Sequence, residues 1–192
     1  MSDYYRLSLN FPTRRDMPAP VAAALTALSN GGAPDPDWLG TMPLLIAHYL
    51  GQRANTGPVG LGGASWRFTP LNPHPREEKP DDATHMLHME RVFHDDEFAN
   101  AGDVFLHWLF QFARDGHLAV ELTQDGNPPT LYTRRGGDIV TTMLAYDPAE
   151  FVTPATRTPR PKHPIIVLDT TRQPLAPMVK LAEEWDPQIL FG

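Results

Sequence analysis

The stretch "THMLHMERVFHDDEF", Thr84 to Phe98, changes its period partway along. Up to Phe93 the residues alternate. Leu87, Met89 and Phe93 fall on one side with His85 and Arg91, and Thr84, Met86, His88, Glu90, Val92 and His94 fall on the other. A repeat of two is that of a strand with one buried face. At Asp95 the repeat gives way to "DDEFANAGDVFLHWLFQFARDG", where Phe98, Ala101, Phe105, Trp108, Leu109 and Phe112 recur at spacings of three and four. That spacing is one face of a helix. Asp95 or Asp96 is placed to cap it, and acids in a first turn suit the positive end of the helix dipole. Asp115-Gly116 ends it. Val104, Leu106 and Phe110 widen its apolar surface beyond a single stripe, a surplus to be covered either by the C-terminal extension or by a second subunit.

Outward from this strand–helix junction the chain repeats the same grammar. "YYRLSLNF" (Tyr4–Phe11) alternates as a half-buried strand. "DMPAPVAAALTALSNGG" carries a helix with Val21, Ala24, Leu25 and Leu28 on one face; Asp16 is its expected cap, Pro18 or Pro20 fits its first turn, and Gly31 or Gly32 ends it. A loop and a short helix over Pro43–Leu50 follow, and "GGASWRFTP" reads as a strand ending at Pro70. After the long helix, "HLAVELTQ" alternates with Leu118, Val120 and Leu122 inward. The turn "DGNPP", the run "TLYTRR", a Gly-Gly turn and "DIVTTML" complete a meander. Beyond Tyr146, "DPAEFVTPATRTPRPKHP" is proline-rich and reads as an extended arm; "IIVLD" and "APMVKLAEEW" read as a strand and a short amphipathic helix.

This order predicts an α+β protein: a mainly antiparallel sheet with two main helices packed on one face, a ferredoxin-like core with extra strands and a C-terminal extension. Residues 1–146 are expected to form the core domain and 147–192 the extension.

Composition narrows the function classes. The chain has 192 residues, a net charge of −7 and no cysteine. Its acidity opposes binding to nucleic acid, and Arg14-Arg15 and Arg134-Arg135 are isolated basic pairs. The absence of cysteine removes disulfides, thiolate zinc sites and a cysteine nucleophile. The N-terminus lacks a signal-peptide pattern and no apolar run approaches membrane-spanning length, so a cytoplasmic protein with no membrane partner is expected.

The three histidines and four acids of His85–Phe98 raise the question of a metal centre. Ligands must converge to about 2 Å from an ion. On a strand, His88 and His94 share a face but stand roughly 20 Å apart at ~3.3 Å per residue, and His85 points the other way. Asp95, Asp96 and Glu97 diverge as neighbours on a helix. Neither a metal nor a cofactor is expected. His107 and His117, which flank the helix end, read as surface or satisfied side chains. "GGASW" lacks the glycine that follows a nucleophilic serine, and the glycine-rich Gly57–Ser65 lacks the lysine of a phosphate loop.

"YYRLSLNF…RRDMP", "HDDEFANAGDVFLHWL" and "PTLYTRRGGDI" together resemble a pattern in uncharacterised small proteins of actinobacteria. The resemblance implies a small α+β domain; it brings no activity and no functional residue.

Three expectations follow. The first is a non-catalytic interaction protein, an antagonist or accessory factor, whose partner is another protein or a second copy of itself. Its interface would use Leu106 and Phe110 on the over-wide helix together with Trp185. The second is a small-molecule pocket, of a carrier or of an enzyme in a ferredoxin-like dimer, with His88, Glu90 and His94 beside aromatic walls. The third is a structural subunit assembled through the arm Asp147–Pro164.

Overall fold

The computed structural model describes residues 4–52, 64–71, 83–116, 119–124, 129–146 and 165–185. Among the described residues seven strands form one sheet: β1 (Tyr4–Arg14), β2 (Ala64–Pro70), β3 (Ala83–His94), β4 (Ala119–Gln124), β5 (Thr130–Arg135), β6 (Asp138–Tyr146) and β7 (Ile165–Pro174). They lie in the order β2-β3-β1-β4-β5-β6-β7, and every neighbouring pair is antiparallel. The protein is therefore α+β. β1 and β2 run parallel to each other with β3 between them, and the helices following β1 make that crossover.

The alternation read in the sequence is the pleat of the sheet. Leu7, Leu9 and Phe11 of β1, Trp66 and Phe68 of β2, and Leu87, Met89 and Phe93 of β3 point to one side and are buried there. The helices cover that side. α1 (Ala19–Ser29) buries Val21, Ala24, Leu25 and Leu28, the face that the sequence marks. Pro20 stands in its first turn, and Gly31 adopts φ 74° just after it, a conformation that glycine tolerates without strain. Asp16 does not cap α1, because Pro18 occupies the cap position and the Asp16 carboxylate is taken by Arg14.

α2 (Pro36–Leu39) lies in the stretch read as loop. Asp35 caps it by accepting from the backbone N–H groups of Asp37 and Trp38. α3 (Leu44–Gly51) follows Pro43.

The strand–helix junction is where the sequence places it. α4 (Asp95–Glu97), a π-helical segment (Phe98–Gly102) and α5 (Asp103–Phe110) run on from β3. Asp95 and Asp96 lie inside the first turn. Gly102 marks a close approach to the sheet: a Cβ there would stand 2.8 Å from Cε1 of Phe93.

Every residue from Val104 to Phe110 is buried. One side of α5 meets the sheet, where Phe110 packs edge-on to Phe11 and beside Tyr132. Against its flank lies α6 (Leu175–Glu183), which follows β7 directly and buries Leu175 and Ala182 in the same core. The extra apolar width of the long helix is thus covered from within the chain. Residues 165–183 share the sheet and core of the first 146 residues, since β7 pairs with β6 along Asp138–Tyr146.

Arg134 closes the end of α5. Its guanidinium donates to the carbonyls of Phe110, Gln111 (3.0 Å) and Ala113 at the C-terminal end of the helix, and Asp115 balances its charge at 3.2 Å. Among the described residues no helix is long and apolar enough to cross a membrane. The glycine-rich loop up to residue 63, residues 72–82, His117, Leu118 and the arm 147–164 lie outside the described residues. So do the side chains of Val120 and Leu122.

Candidate functional site

A cleft of about 540 Å³ opens between α3, the start of the long helix and Trp185. Its size is that of small-ligand sites. On α3, Leu44 with His48 and Leu45 with Tyr49 are pairs four residues apart, so all four line the same wall. The opposite wall is His94 at the end of β3, Asp96 and Glu97 of α4, and Asn100 and Ala101 of the π segment. Trp185 closes one side. The wall is mostly carbon, with few polar groups, and Leu44 at the rim is 57% exposed.

Behind the cleft lies a buried cation. Arg91 is on the inward face of β3 and 2% exposed. Its Nη2 donates to Oε1 of Glu97 at 2.8 Å, and its Nη1 donates to the side chain of Gln52. The guanidinium carbon lies 4.8 Å from the ring centre of Tyr49 and 4.7 Å from that of Phe93, placing the charge against two aromatic rings. Tyr49 also stacks on Phe105 at 4.6 Å. Burial pushes the Tyr49 phenol well above its usual range and the neighbouring Glu97 charge adds to the rise, against a smaller opposing pull from Arg91. Tyr49 therefore stays a neutral phenol at any physiological pH. Glu97 lines the cleft, paired with Arg91 and hydrogen-bonded to the Tyr49 side chain.

The π segment sets this geometry. A π turn widens the helix locally and re-aims the residues around it. Here Glu97, Asn100 and Ala101 face the cleft, while Phe98 and Gly102 face the sheet beside Phe93.

The residues singled out from the sequence separate. His94 lines the cleft and meets Tyr4 edge-on at 5.6 Å, with Asp96 3.8 Å from its Nδ1. His88 and Glu90 do not line it. They lie on the sheet face away from the helices, 3.7 Å from each other. His85 lies on the helix side, stacked on Phe68 at 4.3 Å, and burial lowers its pKa. Among the described residues no three His, Cys, Asp or Glu side chains are grouped to hold a metal ion. Leu106 and Phe110 are both 0% exposed, which makes them core of this chain and not open surface. Trp185, assigned to an interface with them, instead forms part of the cleft.

His107 is a satisfied histidine: Nδ1 bonds the Asp103 carbonyl at 2.7 Å and Nε2 meets Gln173 of β7 at 2.8 Å.

Tyr49, His48 and Glu97 carry no site signal in the sequence taken singly. Arg91 does. A strand that alternates cleanly and yet puts an arginine among Leu87, Met89 and Phe93 must supply it with a buried acid, and Glu97 is six residues away. No protein-family model, curated protein or solved structure matches this chain.

Proposed function

We propose that the chain is a non-catalytic binding protein whose ligand is a small, mainly apolar molecule held in the cleft between α3, the π segment and Trp185. The observation that carries this reading is the cleft itself: a carbon-walled concavity of about 540 Å³ with a few convergent polar groups and a deeply perturbed tyrosine beside them. Spare apolar surface on the long helix is one of the supports for a protein partner, and α6 uses that surface inside the chain. The strand order β2-β3-β1-β4, with helices between β1 and β2 and between β3 and β4, supports a ferredoxin-like reading of the first half. The lack of cysteine supports a reducing, cytoplasmic setting.

Calorimetric titration with a neutral arylalkyl probe, 4-phenylbutanol, tests this reading. Saturable binding to the full chain is expected, and it should be lost in Ala101→Phe, where the new ring fills the cleft. Absence of binding, or equal binding to both proteins, removes the reading.

A further inference from the structure

We infer that the ligand carries an amine, and that Glu97 is the group that receives it. This rests on the cleft being the binding site. Among the described residues the lining holds two carboxylates, Asp96 and Glu97, and no lysine or arginine. Its other titratable groups are His48, His94 and Tyr49. Arg91, 2% exposed behind Glu97 and Tyr49, is paired with Glu97 and has its guanidinium against two rings. An anionic ligand would face two carboxylates with no lysine or arginine beside them among the described lining residues. A neutral ligand would leave the Glu97 carboxylate without a charged partner on the cleft side. An ammonium on an apolar stem meets both demands. Its stem lies along Leu45 and Ala101, and its head reaches the carboxylate with the Tyr49 and Trp185 side chains beside it.

Glu97 is well placed for this role. A carboxylate has two oxygens and about four acceptor positions; Arg91 takes Oε1 at 2.8 Å and the Tyr49 hydroxyl takes another position, which leaves about two open. Anchoring by a buried arginine fixes the rotamer, so the carboxylate is ordered before a ligand arrives and little ordering entropy is lost on binding. Asp96, with its side chain 87% exposed, adds long-range attraction at the mouth and little more.

A matched series tests the inference: 4-phenylbutylamine, 4-phenylbutanol and 4-phenylbutyrate, titrated calorimetrically into the full chain at pH 7 and low salt. The amine is expected to bind about ten-fold more tightly than the alcohol, with the butyrate weakest. Glu97→Gln should bring the amine down to the alcohol. If that variant does not fold, Arg91→Met/Glu97→Gln, which removes both charges together, takes its place with the same expectation. Alcohol and amine binding equally to the wild-type chain overturns the inference and leaves the cleft reading standing, as does an amine preference that survives loss of Glu97. Failure of all three probes overturns both.

Discussion

Arg91 sits on the buried side of β3 with one carboxylate, Glu97, to balance it. Removing one member of a buried pair leaves the other charge uncompensated, which costs several kcal/mol, whereas replacing both by apolar or neutral groups is often close to neutral. Glu97→Gln is therefore expected to lower stability by about 3 kcal/mol in urea unfolding, and Arg91→Met/Glu97→Gln to recover most of that loss. Additive effects in the double variant would mean that the two side chains do not act as a pair. Asp103 is a second test. Burial raises its carboxyl above the ordinary value, with His107 pulling part of the way back. A raised value means that folding favours the protonated form, so the stability it contributes is full below the ordinary value of 3.8 and is lost as pH rises through the folded value. Asp103→Asn should accordingly stabilise the protein at pH 7 and change little near pH 3; a variant less stable at pH 7 than at pH 3, relative to wild type, would contradict this. The inward position of Arg91 is legible from the alternation of Thr84–Phe93 alone. Its partner is not, because the pairing depends on where the first helical turn swings Glu97 once the strand has ended.

At the scale of elements, the long helix shows where periodicity stops being informative. Its spacing of three and four correctly marks a helix, and its excess width correctly marks a second contact, but a pattern of apolar residues does not say what makes that contact. Here it is α6, brought back by β7. The π segment was not legible either. An extra residue per turn leaves the residue types unchanged, and the Asp103 N–H donating to the Phe98 carbonyl five residues back marks it. Gly102→Ala places a methyl group 2.8 Å from the Phe93 ring, and overpacking of this kind costs about 1–3 kcal/mol. The expected outcome is a lowered unfolding midpoint together with weaker probe binding, since the shifted helix carries Glu97 and Ala101 with it. A stable variant with unchanged binding would show that the close approach does not position the cleft. Arg134→Ala uncaps the far end of the same helix and should cost about 2–3 kcal/mol in chemical denaturation; a loss below 0.5 kcal/mol would mean that the exposed end recruits water at no cost.

Across the whole molecule the seven strands carry helices on one face, and the other face presents Arg6, Ser8, Asn10, His88 and Glu90. The α+β class and the strand-helix order were readable because each strand has one buried face. The reach of the C-terminal residues was not, because the proline-rich residues before them carry no register. Since Leu175 and Ala182 complete the core and cover α5, a chain ending at residue 146 is expected to lose cooperative thermal unfolding; a sharp transition at the full-length midpoint would make the extension an accessory. The cleft lies between the first half of the chain and Trp185, so its binding is a property of the complete fold. Amide and indole shift mapping during titration with 4-phenylbutylamine tests the central claim most directly. Saturable shifts are expected at Leu45, Ala101 and the Trp185 indole, with Asn10 and His88 on the open sheet face unmoved. Shifts confined to that open face, or none at saturating probe, would contradict a ligand site in the cleft.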